Sequence, residues 1–342
     1  MPDYGLGLDI GTFNTKIVCI KKVKKETSLV DLVLLKGSDP GEIKNEISRI
    51  FEENKIKDLD VATSVSGPSV VVRFVEFPEM AEDEVKNAIA LESERYLPFR
   101  YEDVNLDLHM FKGSSQEKGK MQVLVVAARK DLIKKKIDFL ESAGINPSII
   151  DIDALSLSNC FEKEGVASEN AIALINIGSA FTNFCVIEQG FPRFTRDIPL
   201  GGSTITSHLQ KRLSLNPVDA ENYKIKIGLN SQAEGIDQDT ILKINDATKE
   251  IFESFFKEIR YSLDFHQTQS KGKVTEKIYL SGGTSFLREI GKYFSVELGL
   301  PVEIWNPLSK IVASQELQDK WQNMASIFPV SLGLAYKGLE YA

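Results

Sequence analysis

The sequence predicts an α/β fold made of two related lobes, with a small α/β unit inserted into the first lobe. Strand-like and helix-like apolar patterns alternate along the chain, which is typical of α/β proteins. A unit of apolar strand, glycine turn and second apolar strand occurs twice, and such a repeat indicates a duplicated domain. Residues 78–145 carry a strand and helix pattern of their own, and strand character of the first lobe resumes only after them.

The composition narrows the class of protein. The 342 residues are 42% hydrophobic and 26% charged, which is typical of a globular chain with room for two cores. A net charge of -8 argues against a general nucleic-acid binder, so we expect no nucleic-acid partner. The three cysteines stand singly among apolar residues, which favours buried thiols in a reducing compartment over disulfides or a zinc site.

Neither a secretory signal nor a membrane span is recognisable in the sequence. The N-terminus lacks a basic region followed by an apolar core, and apolar runs such as residues 123–128 are far too short to cross a bilayer. We therefore expect a cytoplasmic protein that reaches a membrane only through a partner.

The two copies of the repeated unit carry the same residue types at the same spacing. Each copy is a short apolar strand, a polar turn with glycine, and a second apolar strand, which predicts a β-hairpin. When the copies are superposed, Asp9 falls on Asn176, Gly11 on Gly178 and Thr15 on Thr182.

The first glycine turn has the chemistry of an anion site. Gly11 lets the backbone approach an anion without a Cβ in the way, and the amides that follow it can point at phosphate oxygens. Thr12, Asn14 and Thr15 add short side-chain donors, and Lys16 adds positive charge if its side chain reaches the site. Asp9, at the end of the strand, suits a metal-bound water rather than phosphate itself.

A hairpin turn that uses glycine for backbone reasons alone is the alternative explanation for one such loop. Two loops in register, and a third glycine turn at residues 282–284 directly after a strand, favour a nucleotide site instead.

These motifs resemble those of the actin-type ATPase superfamily, which has a duplicated, ribonuclease H-like, two-lobed fold. Residues 9–16 are similar to its first phosphate motif, residues 176–182 to its second, and residues 280–284 to its adenosine motif. Residues 220–224 are similar to the segment that meets ribose and adenine in the cell-division member FtsA. The resemblance implies ATP and Mg²⁺ as cofactors, with Asp9 holding the metal through water.

One branch of this superfamily resembles the sequence more closely than the superfamily as a whole. Residues 77–99 and 194–202 resemble the type IV pilus assembly protein PilM family, and the resemblance runs nearly from end to end. It implies a cytoplasmic ATP-binding platform that binds the N-terminal cytoplasmic tail of the membrane protein PilN in a groove beside the inserted unit. It also implies contact with other inner-membrane and motor components of the pilus, while self-association is left open. Phe99 and Tyr101 are candidate contacts for that tail, with packing inside the unit as the alternative.

The residues expected at the nucleotide come from the glycine turns, the loop at 201–202 and the segment similar to the ribose contact. They are Asp9, Gly11, Thr12, Asn14, Thr15, Lys16, Asn176, Gly178, Ser179, Thr182, Gly201, Gly202, Glu221, Lys224, Gly282, Gly283 and Thr284.

One position departs from the family pattern. Related sequences place aspartate where this chain has Asn176, and that aspartate holds magnesium through water. Asparagine has a similar shape but no charge, so it offers a weaker environment for a metal. We therefore expect ATP to bind and to be hydrolysed slowly or not at all, and no residue is assigned a catalytic role.

The resemblance divides the chain into lobe cores and inserted segments. The expected divisions are 1–77 (first lobe core), 78–145 (inserted unit), 146–170 (first lobe continued), 171–202 (second lobe core), 203–272 (its helical part), 273–323 (second lobe continued) and 324–342 (a segment returning to the first lobe).

The same fold also allows two other functions. A small-molecule kinase needs a carboxylate base positioned at a substrate hydroxyl, and no recognisable motif supplies one. A filament-forming protein of the FtsA or MreB type is the second alternative. FtsA generally carries a linker and an amphipathic helix after its last core segment, whereas only residues 338–342 follow that segment here, so we expect the platform.

Overall fold

The structure is a computed structural model that describes residues 3–56, 60–111, 119–166, 168–230, 232–270 and 273–341. The strands are β1 (Asp3–Ile10), β2 (Asn14–Val23), β3 (Glu26–Lys36), β4 (Val61–Val65), β5 (Val70–Pro78), β6 (Val104–Phe111), β7 (Lys120–Arg129), β8 (Pro147–Ile152), β9 (Ala171–Ile177), β10 (Thr182–Glu188), β11 (Phe191–Ile198), β12 (Thr275–Ser281) and β13 (Val302–Ile304). The helices are α1 (Pro40–Asn54), α2 (Glu82–Leu91), α3 (Ser93–Tyr96), α4 (Lys130–Ser142), α5 (Asp153–Glu162), α6 (Gly202–Leu213), α7 (Pro217–Ile227), α8 (Gln238–Gln269), α9 (Ile290–Leu298), α10 (Gln315–Trp321) and α11 (Pro329–Tyr341).

Two of the sheets have the same topology. The first-lobe sheet has the order β3-β2-β1-β4-β8, and the second-lobe sheet has the order β11-β10-β9-β12-β13. In each, three antiparallel strands are followed by two parallel ones. The shared order confirms the predicted duplication.

Helices α5 and α11 lie where the two lobes meet. One hydrophobic cluster contains Val18 of β2, Leu174 of β9, Cys160 of α5 and Leu332 of α11, so it draws on both sheets. Helix α11 contacts β1, β2 and β4 as well as α5, which places the last segment against the first lobe. The junction between the lobes is therefore a shared apolar core.

Glycines allow α11 to approach its neighbours at backbone distance. A Cβ on Gly333 would overlap the carbonyl oxygen of Ser156 in α5, and a Cβ on Gly7 would overlap the carbonyl oxygen of Ser331 in α11. Glycine at 333 therefore permits the close packing of α11 against α5.

The inserted unit begins and ends elsewhere than expected. Strand β5, which we assigned to the first lobe with a boundary at residue 78, pairs with β7 along its length in a three-stranded sheet of order β5-β7-β6. Helix α4, which we assigned to the inserted unit, buries Leu140 in the first-lobe core with Ile43 and Ile47 of α1. The boundary at 78 is therefore wrong, because an apolar strand has the same pattern whichever sheet it joins.

Other elements differ in detail. The apolar stripe of residues 81–97 predicts one helix, but that helix breaks at Glu92, whose φ and ψ are -111° and 32°. The sequence also predicts a helix over 286–298, and it begins at Ile290. Helix α5 was not anticipated. The polar turn predicted at 113–119 lies, up to residue 118, outside the described residues.

The three cysteines are buried free thiols, as expected. Burial raises the pKa of Cys19 to about 12 and raises those of Cys160 and Cys185 as well. These thiols are therefore protonated at neutral pH and unreactive as nucleophiles.

The substitution Gly333→Ala should destabilise the protein, because its new methyl group meets the Ser156 carbonyl. We expect a loss of about 2 kcal/mol in the free energy of unfolding, as is typical of overpacking. The matched control is Gly338→Ala in the same helix, where a Cβ would stand 3.4 Å from Gly5 Cα, an ordinary contact. Urea denaturation of both variants measures the difference, and equal effects would contradict the packing argument.

Candidate functional site

The two glycine turns are closed by the same hydrogen bond. In the first lobe the amide of Gly11 donates to the carbonyl of Asn14 at 3.1 Å, and in the second the amide of Gly178 donates to the carbonyl of Phe181 at 2.9 Å. The backbone duplication thus extends to individual hydrogen bonds of the candidate site.

Two threonines that we expected at the nucleotide, Thr15 as a donor to phosphate, have another role. The Thr15 hydroxyl donates to the carbonyl of Gly37 at 2.7 Å, and the Thr182 hydroxyl donates to the carbonyl of Leu200 at 2.8 Å. Both side chains are fully buried. A hydroxyl has a single proton to donate, so these two positions are removed from the phosphate donors and instead tie each hairpin to the next strand.

Lys16 brings a cation to the first turn. It is the register partner of Asp9 across β1 and β2, and its Nζ lies 3.0 Å from Asp9 Oδ2. The same Nζ lies 3.1 Å from where a Cβ on Gly11 would stand, so the ammonium packs against the glycine of the turn. Thr12 is exposed and Asn14 is half-buried beside it.

The second turn is in contact with the start of α6 and with the third glycine turn. The amides of Gly202 and Ser203 donate to the carbonyls of Gly178 and Ser179, both at 2.9 Å. The Thr284 hydroxyl donates to the carbonyl of Gly178 at 3.3 Å. A Cβ on Gly202 would stand 2.7 Å from that hydroxyl, so glycine is needed for this approach.

The remaining glycines of the site have different surroundings. A Cβ on Gly201 would overlap the Ser179 carbonyl, and Gly282 has φ of 88° with the Ile177 backbone against it. Gly283 has open space around its Cα, with no atom within 4 Å of a built Cβ. The turn at 282–284 therefore keeps one open side.

Lys224 and Glu221 lie under the start of α6. Lys224 is 7% exposed and its Nζ donates to Gly202 O at 3.2 Å, to Thr206 Oγ1 at 2.9 Å and to Glu221 Oε2 at 2.7 Å. Burial lowers the pKa of Lys224, while Glu221 opposes this change. The ammonium is thus engaged within the lobe and supports the α6 backbone, whereas Glu221 keeps an exposed side.

A half-buried carboxylate that sequence reasoning missed lies near Asp9. Asp153 begins α5, and it accepts a hydrogen bond from the Ser64 hydroxyl at 2.6 Å. Burial raises its pKa to about 6, and the negative charges of Asp9 and Asp197 add to this. Its location at the end of β8, beside the parallel strand β4, is the sequence signal that could have found it.

Lys136 is the second missed group. Burial lowers its pKa, and the negative charges of Asp153 and Asp9 oppose the change. A cation and two carboxylates therefore lie near one another at the carboxyl ends of the first-lobe strands. Within the described ranges, no group of three or more His, Cys, Asp or Glu side chains is arranged to hold a metal ion.

A cavity of about 220 Å³ lies between the inserted unit and the second lobe. Its walls are Gly67 and Pro68, residues 70–73 of β5, residues 195–197 of β11, and Ile152 and Ala154. Strands β5 and β11 are each the edge strand of their sheet, and residues of both line this cavity. This cavity is on the β5 side of the inserted sheet, not on the β6 side that Phe99 and Tyr101 flank.

Replacing Asp153 should make the stability of the protein less sensitive to pH. Its folded pKa lies above the unfolded value, so it contributes stability below about pH 4 that is lost as pH rises through about 6. Asp153→Asn should therefore unfold at higher denaturant concentration than the parent at pH 8, with the gap closing toward pH 4. Glu162→Gln, at an exposed position of the same helix, should show no such trend, and a gap independent of pH would count against the burial argument.

Comparison with known proteins agrees with this architecture. The model of a protein family described as "Type IV pilus assembly protein PilM" matches residues 7–339. A solved structure described as a PilM-PilN type IV pilus biogenesis complex is 25% identical, with a TM-score of 0.82 and 98% of both chains covered. MreB 5 of Spiroplasma citri bound to AMPPNP is 13% identical, with a TM-score of 0.51 over 97% of this chain and 94% of that one, and supports the actin-like fold alone.

The cell division protein FtsA of Buchnera aphidicola is 24% identical over 248 residues, which are 65% of this chain. The match spans 57% of the length of that relative. In the part of the chain that the structure describes, no helix is long and apolar enough to cross a membrane. The duplicated topology, the paired glycine turns and the family match over residues 7–339 together show that the chain belongs to the type IV pilus assembly protein PilM family, within the actin-like ATPase superfamily.

Proposed function

We propose that the chain is an ATP-binding platform of a type IV pilus assembly complex, located in the cytoplasm and held at the inner membrane by its partner. In this proposal it binds the N-terminal cytoplasmic tail of a PilN-type membrane protein and couples cytoplasmic machinery to the envelope complex. The observation that carries the proposal is the pair of equivalent glycine turns, one with a lysine ammonium packed against it.

The residues present fit a nucleotide with a bound Mg²⁺. The ammonium of Lys16 packed against Gly11 offers a charge-assisted hydrogen bond to a phosphate oxygen, and the turn at 282–284 has an open side beside Gly283. Among the solved relatives, MreB 5 is described as bound to AMPPNP, which supports an adenine nucleotide for this fold. Asp9 is the carboxylate proposed to hold Mg²⁺ through water, a mode that suits an ion reluctant to dehydrate.

The side chains around the two turns support slow hydrolysis. Asp9 is neutralised by Lys16, and its counterpart in the second lobe is the uncharged Asn176. We therefore propose that turnover is far below the ~10 s⁻¹ that is typical of enzymes.

Removing the ammonium from the first turn should weaken ATP binding. Lys16→Met deletes a charged donor and leaves the Asp9 carboxylate unpaired near the phosphates, so we expect affinity to fall about 10-fold or more. The control Lys22→Met removes an exposed lysine from the far end of the same strand. Titration with a fluorescent ATP analogue measures both affinities, and unchanged binding by Lys16→Met would refute the assignment.

A turnover assay with the same preparation tests the proposed slow hydrolysis. Robust magnesium-dependent phosphate release that Asp9→Ala abolishes would show that the chain is an active ATPase. Sedimentation of polymer with ATP and no partner would favour a filament-forming protein instead.

We propose that the cavity between β5 and β11 receives the partner tail. An extended peptide can add hydrogen bonds to an exposed strand edge, and two such edges border this cavity. Valines of β5 supply apolar contact. A site for the tail beside Phe99 and Tyr101 is less suitable, because Phe99 packs with Leu97, Val104 and Ala127 inside the inserted unit.

A charge placed on the β5 wall should weaken binding of the tail. Val71 lines the cavity, so Val71→Asp puts a carboxylate against the peptide, and we expect the affinity to fall about 10-fold or more. Val23→Asp changes an exposed valine at the end of β2 and serves as the control. Fluorescence anisotropy with a labelled synthetic tail measures both, and equal affinities would place the tail elsewhere.

A further inference from the structure

A continuous chain of side-chain hydrogen bonds crosses the second-lobe sheet beside its glycine turns. Four adjacent strands each contribute one polar residue, and we call these residues the polar ladder: Ser281 of β12, Asn176 of β9, Asn183 of β10 and Asp197 of β11. Neighbouring members are register partners in the sheet. Ser281 Oγ donates to Asn176 Oδ1 at 3.3 Å, Asn176 Nδ2 to Asn183 Oδ1 at 3.0 Å, and Asn183 Nδ2 to Asp197 Oδ1 at 2.9 Å.

The ladder ends on the first lobe. Asp197 Oδ2 accepts a hydrogen bond from the backbone amide of Gly67 at 2.6 Å, and both residues line the cavity between β5 and β11. The ring of Phe181, from the second glycine turn, stands 3.2 Å from where a Cβ on Gly67 would be. At the other end of the ladder, Ser281 directly precedes Gly282 of the third glycine turn. One polar path thus joins two glycine turns to the cavity.

The direction of the hydrogen bonds explains why residue 176 is asparagine. Asp197 can only accept, so Asn183 must present its NH₂ group to it and its oxygen to residue 176. Residue 176 must therefore donate to Asn183, which asparagine can do and an ionised aspartate cannot. An aspartate at 176 would leave one oxygen–oxygen contact in the ladder, whichever way Asn183 is turned.

We propose that Asn176, Asn183 and Asp197 are positioning residues that couple ATP at the glycine turns to binding of the tail in the cavity. The inference rests on the proposed function and names how that site is regulated. A nucleotide that fixes the second and third turns fixes the ladder, and the ladder holds β11 to Gly67, which sets the separation of the two cavity walls. Burial of the Asp197 carboxylate makes loss of either donor costly.

The coupling is measured as the ratio of tail affinities with and without ATP. We expect a ratio of about 10 in the parent, within the range usual for linked sites. Asn176→Asp introduces an oxygen–oxygen contact, and Asp197→Ala removes the acceptor of both Asn183 and Gly67, so each should reduce the ratio toward 1. Asp31→Asn, which changes an ion-paired aspartate on the edge strand β3 of the first-lobe sheet, should keep the parental ratio.

The double variant gives a rescue test. With Asn176→Asp and Asp197→Asn together, Asn183 can turn over, donate to residue 176 and accept from residue 197, while residue 197 still accepts from Gly67. Every member then has a partner again with the ladder reversed. Recovery of the ratio in the double variant is expected, and a double variant no better than Asn176→Asp alone overturns the inference.

Hydrogen exchange tests the ladder without the tail. ATP should slow exchange at the glycine turns and also at residues 66–73 in the parent, but only at the turns in Asp197→Ala, which has no acceptor for the Gly67 amide. If protection of residues 66–73 is absent in the parent, or persists in Asp197→Ala, the ladder is overturned and the proposed platform still stands. Absence of any protection at the turns shows instead that ATP does not bind, and then both proposals fail.

Discussion

The backbone-distance packing of α11 against β1 and α5 is the constraint on which the arrangement of the two lobes depends. Gly7 and Gly333 let helix and strand backbones approach where any side chain would overlap a carbonyl. The shared cluster around Leu332 then joins apolar residues of both sheets. Because packed interiors tolerate little displacement, this junction fixes where the two glycine turns stand relative to each other.

The two lobes show how one backbone unit supports different electrostatics. The turns share a hydrogen bond, and the threonines that follow them each tie to a carbonyl two residues beyond their register partner. Yet the pair across the strand ends is Lys16 with Asp9 in one lobe and Asn183 with Asn176 in the other. Charge at these strand ends thus comes from the first lobe, while the second contributes neutral groups whose donors and acceptors are already committed.

The buried polar groups at the lobe junction show a balance between stability and function. Asp153 is half-buried near two other carboxylates, which disfavours its ionised form. Such groups are retained at sites where function requires them, although a neutral side chain is better tolerated by the fold. The cavity beside Asp197 lies at the same junction, so the proposed nucleotide and partner sites are only a few strands apart.

The sequence by itself determined the duplication, the glycine turns, the apolar faces of the helices and the family, because these are carried by local patterns and residue identity. Only the tertiary structure decided which strands pair and which partners the polar side chains have, because local patterns do not contain this information. It placed β5 in the inserted sheet, turned the hydroxyls of Thr15 and Thr182 inward, and brought Asp197 to the amide of Gly67, 130 positions away in the chain. The partner of a polar side chain is set by which strands become neighbours, and strands of one apolar pattern can pair in several ways. The reason for Asn176 is therefore visible only once its register partner Asn183 and the carboxylate beyond it are in place.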